Sequence, residues 1–266
     1  MKIITFPDNS KQVRIYRKLI EYRPRVDLPE RDPFNGQYCT DVNNFDEYFD
    51  HIQEVSMKRT KKKVYDYAKC NEWDYFVTFT FNKNKVDRYN YEECSKKLSK
   101  WFNHLRRSSP LLTYIVVPEQ HKDGAWHFHG LVAGLSESEI VWSGKYVVKR
   151  VKSGSRSRFV KTDHKIYQIG RYKLGWMTAT EIQDKQRVIS YITKYVTKDM
   201  MKGLYGKKRY WSSKNLLVPT EETMMFDAAD RFVLSHELLE DCTFHKVSQS
   251  SYGDMTQRVE IFDLRD

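Results

Sequence analysis

Hydrophobic positions in the middle of the chain repeat with the period of a strand in some segments and of a helix in others. Residues 74–81 read DYFVTFTF and are rich in β-branched and aromatic side chains, which predicts a strand. Residues 92–107 carry apolar side chains at helical spacing and precede a Ser-Ser-Pro stop, which predicts a helix. The apolar segments 112–118, 126–133 and 176–182 predict three more strands.

A short polar segment joins two of these predicted strands. Between residues 112–118 and 126–133 the chain contains the pair Asp123-Gly124, which is typical of a tight turn. We therefore predict that the two strands form a hairpin centred near Asp123.

Further helices are predicted on both sides of this centre. One is expected over residues 45–68, where a basic run interrupts the apolar pattern. Another is expected over residues 184–201, with Asp184 as its capping residue. A third helix over residues 227–239 and a strand near Leu216 are also predicted.

The charge balance favours a polyanionic partner. Lysine and arginine outnumber the acidic residues 46 to 35, which gives a formal net charge of +11, and aromatic residues make up 14% of the chain. Basic side chains bind phosphates, and aromatic rings stack on unpaired bases. A basic surface that serves only solubility is the alternative. The chain has no G-x-x-x-x-G-K-[ST] loop, so we expect no ATP-driven helicase within it.

The cysteines and the apolar segments bear on the cellular setting. The four cysteines are widely spaced and form no C-x-x-C pair, so neither a zinc ribbon nor a disulfide framework is expected. The first residues lack the apolar stretch of a signal peptide, and no segment approaches the length that spans a membrane. We therefore expect a soluble protein in the cytoplasm of a bacterial host cell, without a membrane partner.

One H-x-H motif suggests a metal site. His127 and His129 lie two residues apart on a predicted strand, so both imidazoles project to one face. Glu119 lies opposite His127 if the hairpin is symmetric. Two histidines and a carboxylate suit Mn²⁺ or Mg²⁺ acting on a phosphate oxygen. His121 is an alternative ligand, and packed or surface histidines without a metal are the structural alternative.

One tyrosine pair suggests a nucleophile. Tyr191 and Tyr195 are the only tyrosines four residues apart among the 18 in the chain, and on a helix they share a face. A tyrosine is only about one part in a thousand ionised at neutral pH. Lys194 and Lys198 are therefore candidates to favour the phenolate by their charge. Packing of two tyrosines in a core or groove is the alternative.

Three basic segments are candidate DNA contacts. The helix over 45–68 contains the first, residues 58–63. The others are an exposed loop or ribbon within residues 142–165 and the stretch 206–211. Phosphate contacts would make binding sensitive to salt, while solvated charge is the alternative. In the last two segments, the candidate DNA-binding residues are Lys149, Arg150, Lys152, Arg156, Arg158, Lys207, Lys208 and Arg209.

In their order along the chain, these motifs resemble those of a known family. The strand 76–81, then Glu119 with residues 127–129, then residues 191–198 (YITKYVTK) are similar to the three motifs of HUH-family rolling-circle replication initiators. The Y-x-x-K-Y-x-x-K arrangement resembles the two-tyrosine type found in microvirus, plasmid and prophage replication proteins of bacteria. The resemblance covers roughly residues 71–215.

The resemblance implies a fold, a chemistry and partners. It implies an α+β fold, in which a central antiparallel sheet of roughly five strands is flanked by helices, in the RRM or ferredoxin-like manner. It implies metal-dependent nicking of single-stranded or hairpin origin DNA by Tyr191 or Tyr195, with a 5′-phosphotyrosine intermediate and a free 3′-OH. A host helicase and polymerase are the implied partners.

Three other points stay open at this stage. We expect an N-terminal accessory region with a basic helix over residues 1–70, an HUH endonuclease domain over 71–215, and an acidic accessory helix and tail over 216–266. A relaxase or single-strand transposase uses the same groups, and a non-catalytic single-stranded nucleic-acid-binding module is the remaining alternative. The sequence does not indicate an oligomeric state.

Overall fold

The chain forms two compact units in the computed structural model. One unit is His51–Leu216, and the other combines Met1–Asp50 with Leu217–Asp266. The division of the chain at residues 70 and 215 stays a prediction. The structure describes residues 1–16, 42–153, 156–170, 172–197, 204, 206–225, 227–252 and 255–264.

Twelve strands and four α-helices occur in the described residues. The strands are β1 (Lys2–Thr5), β2 (Lys11–Tyr16), β3 (Tyr75–Phe81), β4 (Thr113–Gln120), β5 (Trp126–Ala133), β6 (Ile140–Ser153), β7 (Arg156–Ile169), β8 (Gly175–Glu181), β9 (Trp211–Ser212), β10 (Thr220–Thr223), β11 (Cys242–Tyr252) and β12 (Met255–Leu264). The helices are α1 (Val42–Cys70), α2 (Tyr91–Ser108), α3 (Lys185–Lys194) and α4 (Ala228–Asp241).

The larger unit is built on one antiparallel sheet. Its strand order is β6-β7-β8-β3-β5-β4-β9, and every recorded pairing in it is antiparallel. The predicted α+β class with an antiparallel sheet and helices is confirmed. The sheet has seven strands rather than roughly five, because the basic segment forms the paired strands β6 and β7.

The alternation along β3 separates a buried face of the sheet from a partly exposed one. Val77, Phe79 and Phe81 are buried, and Phe79 packs edge to face against Phe102 of α2 at 5.7 Å between ring centroids. The alternate residues of β3 are only partly buried. Burying an aromatic side chain of this size contributes roughly 1.5–3 kcal/mol. One face therefore holds the core with α2, and the other is open to a ligand.

The hairpin of β4 and β5 has the predicted centre. The turn contains Gly124 with φ +86°, a backbone conformation that favours glycine. Farther along β5, a Cβ on Gly130 would lie 2.6 Å from the carbonyl oxygen of Ile115. The two strands therefore approach each other more closely at Gly130 than a larger residue permits.

Helix α3 begins as predicted but ends earlier. The Asp184 side chain accepts a hydrogen bond from the backbone N–H of Arg187 at 2.9 Å. The helix ends at Lys194, whereas the pattern predicted helix to about Met201. The backbone N–H of Val196 bonds the carbonyl of Thr193 instead of continuing the helical pattern. Residues 198–203 lie outside the described residues.

The smaller unit joins strands from both ends of the chain. Its sheet order is β10-β1-β2-β12-β11, and Val13, Ile15 and Phe262 form its buried core. The predicted helix over 227–239 is confirmed as α4. Strands β11 and β12 were not predicted in the acidic tail. The predicted strand near Leu216 is wrong, since the neighbouring strands are β9 and β10.

Two further expectations concern cysteines and membranes. Cys70, Cys94 and Cys242 are free thiols, while Cys39 lies outside the described residues. Within the described ranges, no helix combines the length and the apolar character needed to cross a membrane.

Candidate active site

One row of side chains crosses four neighbouring strands on the partly exposed face of the sheet. Antiparallel pairing sets Glu119 on β4 opposite His127 on β5. It sets Thr80 on β3 between His127 and Trp176 of β8. Directly paired residues project to the same face, so these four side chains share one face. The predicted register of Glu119 and His127 is thereby confirmed.

His129 contacts the same carboxylate from two residues farther along β5. Its Nε2 lies 2.7 Å from Oε2 of Glu119. The His129 side chain is 9% exposed, whereas that of Glu119 is 42% exposed. The imidazole is therefore held below the surface, and the carboxylate remains accessible to a ligand.

Two threonine hydroxyls on β3 hold the histidine rings. Oγ1 of Thr78 lies 3.1 Å from Nδ1 of His129, and Oγ1 of Thr80 lies 3.3 Å from Nδ1 of His127. A hydrogen bond at one ring nitrogen orients the ring and determines which nitrogen can bind a metal. Sequence reasoning missed both threonines, although the alternation of β3 places them on one face.

Burial lowers the pKa of both histidines below the usual value near 6.5. At His129, burial outweighs the hydrogen bond and the charge of Glu119, which act in the opposite direction. At His127, burial and the neighbouring His121 outweigh the effect of Glu119. Both rings are therefore neutral near pH 7, and the neutral imidazole is the form that binds metals.

The donor chemistry of these residues fits a small divalent cation. Glu119 supplies a carboxylate, and the threonine contacts leave Nε2 of His127 and His129 for a further partner. Histidine and carboxylate donors suit Mn²⁺, and carboxylates suit Mg²⁺. Within the described residues, however, no three His, Cys, Asp or Glu side chains are already grouped as a metal site. A bound ion would therefore require Glu119 and His129 to give up their direct contact.

The alternative ligand His121 lies in the turn of the same hairpin. Its Nδ1 lies 3.2 Å from Oδ1 of Asp123, and its ring centroid lies 5.4 Å from that of His127. His121 is exposed. Its role as a ligand stays a prediction.

The predicted tyrosine pair lies against the same face of the sheet. The rings of Tyr195 and His129 stack with 3.9 Å between centroids and 5° between planes. The ring of Tyr191 lies 5.2 Å from that of Tyr195 and 5.3 Å from that of Phe76. The histidine motif and the tyrosine motif therefore meet, although more than sixty residues separate them in sequence.

The sequence of α3 explains how the helix presents these rings. Ile189 and Ile192 are buried in the core of the larger unit, as is Val196 just beyond the helix. Tyr191 is 46% exposed, and Tyr195 is partly buried. The apolar stripe thus anchors the helix while the tyrosines lie at the border between core and solvent.

The pKa of Tyr195 is raised above the usual value of about 10. Burial is the main cause, followed by the hydrogen bond and charge of Tyr191 and the charge of Glu119. Tyr195 is therefore protonated at neutral pH in this arrangement, and a nearby positive charge is needed to favour its phenolate.

The two lysines proposed to supply such a charge differ in what the structure describes. Lys194 is the last residue of α3 and is exposed. Lys198 lies outside the described residues. Their electrostatic role stays a prediction.

The segment that holds both motifs is similar to a known protein family. Residues 74–200 match the family model of the replication-associated protein ORF2. This replication-associated segment begins just before β3 and includes Glu119, both histidines of the H-x-H motif and both tyrosines. The match supports a relationship with replication initiators (Rep proteins). No curated protein and no solved structure matches the chain.

A two-stranded ribbon extends the sheet of the replication-associated segment. The sequence left a loop or a ribbon open for residues 142–165, and the structure forms the ribbon β6–β7. Its candidate DNA-binding residues Lys149, Arg150 and Arg158 are exposed. The backbone of Lys152 and Arg156 belongs to the ribbon, and their side chains lie outside the description.

The other predicted basic contacts have partners within the chain. Lys207 lies 3.4 Å from Glu92, and Lys208 lies over the ring of Trp211. Arg209 donates to the hydroxyl of Ser56. In the basic run of α1, which the helix continues through, two of the lysines pair with acidic residues one turn away. Their role in binding DNA stays a prediction.

Trp176 is a further candidate that sequence reasoning missed. It belongs to the row of Glu119, His127 and Thr80 and is 44% exposed. The ammonium group of Lys145 lies 4.5 Å from its ring centroid. An exposed indole beside a cation suits a stacked base with its phosphate. The signal was available in the sequence only as one aromatic residue at a strand end.

Proposed function

We propose that this chain is a replication initiator that nicks and rejoins single-stranded origin DNA in rolling-circle replication. The observation that carries the proposal is the stacking of Tyr195 on His129, whose Nε2 contacts Glu119. A candidate nucleophile and a candidate metal-binding pair thus share one open face. The replication-associated match over residues 74–200 supports replication initiation.

We propose that Glu119, His127 and His129 hold Mn²⁺ or Mg²⁺ at this face. A bound divalent ion polarises a phosphate oxygen and neutralises part of the charge that develops during cleavage. Coordination through Nε2 requires that nitrogen to be unprotonated. The proton then resides on Nδ1, where the hydroxyls of Thr78 and Thr80 accept hydrogen bonds at the contacts already present.

In the proposed cleavage, Tyr191 is the first nucleophile because it is the more exposed of the pair. Its phenolic oxygen loses a proton and attacks the phosphorus, and the bond from phosphorus to the 3′ oxygen breaks. The leaving 3′ oxygen takes up a proton and becomes a free 3′-OH. The 5′-phosphotyrosine link conserves the ester energy for rejoining.

Tyr195 would act in the second transfer. Its ring lies 5.2 Å from that of Tyr191, so both phenols reach one site without a large movement of α3. In rejoining, a 3′-OH attacks the phosphotyrosine phosphorus, and the tyrosine oxygen leaves with a proton. The reverse order of the two tyrosines is the alternative.

The remaining groups of the proposal act on charge and on the DNA partner. Lys194 and Lys198 would favour the phenolate by their positive charge. Trp176 would stack on a base near the cut, because its ring shares the face of the proposed site. A host polymerase would extend the 3′-OH, and a host helicase would separate the strands.

The test is formation of a covalent adduct between protein and DNA. A panel of labelled single-stranded and hairpin oligonucleotides is incubated with Mn²⁺ or Mg²⁺ and separated on a denaturing gel. We expect a metal-dependent adduct at the 5′ end of the cut strand. The variant with both Tyr191→Phe and Tyr195→Phe should form none, and a matched Tyr89→Phe variant, changed at an exposed tyrosine outside the pair, should still form it.

Each alternative function gives a different result in this experiment. An adduct that persists in the double tyrosine variant would show that the nucleophile is assigned wrongly. Binding without an adduct on any oligonucleotide would favour the nucleic-acid-binding module. A relaxase or single-strand transposase would form the same adduct, and it would differ in supporting conjugative transfer or excision of an element rather than replication.

A further inference from the structure

We propose that the β6–β7 ribbon binds double-stranded DNA by lying in its major groove. The proposal deepens the proposed function, since it assigns the duplex next to the cut strand to a surface separate from the candidate active site. It rests on the proposed function only in taking DNA as the partner.

The ribbon has only one other strand beside it in the described residues. β6 and β7 pair from Ile140 with Ile169 to Ser153 with Arg156. The recorded contact of β7 with β8 is the pairing of Tyr167 with Ala179, near the base of the ribbon. Both faces of the outer part are exposed, in residues 148–151 and 157–161. Two bare faces indicate a partner that surrounds the ribbon.

The dimensions of the outer ribbon match one turn of a DNA groove. From residue 145 to residue 153, strand β6 spans about 30 Å at roughly 3.3 Å per residue. One turn of the double helix spans about 34–36 Å. The major groove is about 12 Å wide and admits a two-stranded β-ribbon. Two bulges in the pairing of β6 with β7 increase its right-handed twist, which helps it follow a helical groove.

The charge of the ribbon complements a groove lined by phosphates. Between Lys145 and Lys165 the sequence contains eight lysines and arginines and one acidic residue, Asp163. A surface of this charge is attracted to nucleic acid because binding neutralises phosphates and releases their counterions. The charge therefore favours DNA over an acid-poor or neutral protein surface.

Basic side chains occur on both faces of the ribbon. Arg150 pairs with Phe159, and Val148 pairs with Lys161, so these four share one face. Lys149 pairs with Val160, and Val151 pairs with Arg158, on the opposite face. A ribbon that lies on a flat anionic surface needs cations on one face only. Cations on both faces fit a groove that has a phosphate backbone on each side.

Exposed apolar side chains lie between these cations. Phe159 is 75% exposed and Val148 is 53% exposed. Such large exposed apolar groups are unfavourable in water unless a partner covers them. In the major groove, apolar side chains contact the methyl groups of thymine. The ribbon thus carries side chains for the groove floor as well as for its walls.

The same geometry distinguishes DNA from RNA. The major groove of an A-form RNA duplex is too deep and narrow for protein side chains to read. A ribbon built for the major groove should therefore bind a DNA duplex more tightly than an RNA duplex of the same sequence. Binding that depends on charge alone would not distinguish them in this way.

The experiment measures the affinity of the full chain for short duplexes by fluorescence anisotropy, with a chelator present so that no strand is cut. The probes are a DNA duplex, the RNA duplex of the same sequence, and a DNA duplex whose cytosines carry bulky C5 groups. These groups project into the major groove. We expect the DNA duplex to bind at least about tenfold more tightly than either of the other probes.

A ribbon variant and a matched control separate the groove contact from net charge. The ribbon variant carries Lys149→Gln, Arg150→Gln, Arg158→Gln and Lys161→Gln. The control removes the same charge from exposed residues outside the ribbon, with Lys83→Gln, Lys96→Gln, Lys100→Gln and Arg107→Gln. The ribbon variant should bind the DNA duplex at least about tenfold more weakly, with a salt slope shallower by about 3–4. The control should stay within roughly threefold of the parent.

The outcomes separate this proposal from the proposed function. Equal affinity for all three duplexes, or equal losses in the ribbon variant and the control, would overturn the groove assignment in favour of general attraction to polyanions. Circular dichroism of the ribbon variant should match the parent, and the variant should still form the adduct on an unpaired oligonucleotide. If no protein forms an adduct but the duplex preference holds, the cleavage proposal fails and the ribbon proposal stands.

Discussion

The carboxylate of Glu119 reaches diagonally across the hairpin to His129, although its strand register sets it directly opposite His127. The Nε2 of His129 lies 2.7 Å from Oε2 of Glu119, while the paired residue on β5 is His127. Diagonal neighbours across an antiparallel pair lie within reach of a long side chain. One carboxylate can therefore serve both imidazoles.

We expect Glu119→Gln to weaken Mn²⁺ binding by at least about tenfold, because the amide replaces the charged donor of the proposed set. Titration calorimetry of the purified chain measures this affinity directly. The matched control is Glu137→Gln, an exposed glutamate outside the site. Unchanged affinity in Glu119→Gln would remove this residue from the proposed ligands and leave His121 as the alternative.

We expect Thr78→Val and Thr80→Val each to weaken Mn²⁺ binding by about 10–100-fold, because each removes the hydroxyl that holds a histidine ring. Calorimetry and the adduct assay should both respond. Thr178→Val is the control, since Thr178 pairs with Thr78 on β8 at the same partly buried level. Equal effects of all three substitutions would indicate a general loss of stability instead.

The two tyrosines should differ when they are changed singly. With Tyr191→Phe we expect no first adduct, because the exposed nucleophile is lost. With Tyr195→Phe we expect the first adduct to form and to accumulate, because the second transfer has no acceptor. The reaction is followed over time on a denaturing gel with labelled DNA. The opposite pattern would assign the first cut to Tyr195.

We expect Trp176→Ala to weaken binding of single-stranded DNA by about 1–3 kcal/mol, which is the usual contribution of a base stacked on an aromatic ring. Trp176→Phe should retain most of the affinity. Trp142→Ala changes another exposed tryptophan, on the ribbon, and is the control. If both tryptophan-to-alanine variants bind the single strand as the parent does, no base stacks on Trp176.

Gly130→Ala should lower the free energy of unfolding by about 1–3 kcal/mol, because the new methyl group would contact the backbone of Ile115 and the side chain of Val116. Denaturant unfolding measures the change. Gly144→Ala is the comparison, since nothing lies within 4 Å of a Cβ there and only the positive φ is unfavourable. A smaller loss at Gly130 than at Gly144 would contradict the close approach of the strands.

Local patterns were sufficient for the central elements of the fold. The bounds of β5, Trp126–Ala133, match the prediction, and those of β3 and α2 differ from it by one residue at an end. The period of two along a strand places His127 and His129 on one face without any tertiary information. The position of Asp123-Gly124 then sets the register that brings Glu119 opposite His127.

Contacts between distant residues decided the rest. The bonds of Thr78 and Thr80 to the histidines join positions 51 and 47 residues apart, and no local period encodes such a pairing. The end of α3 at Lys194 depends on how the following residues pack rather than on helical propensity alone. The pattern alone could not decide between a loop and a ribbon for residues 142–165, because strand pairing depends on the partner strand.

By itself, the sequence determined which residues could carry out the chemistry and which elements would bear them, because side-chain period and turn residues act over a few positions. Only the tertiary structure decided that Tyr195 stacks on His129 and that strands from the two ends of the chain pair in one sheet. These contacts depend on the burial of side chains from distant segments in a common core. Their free energy arises only when the whole unit is folded.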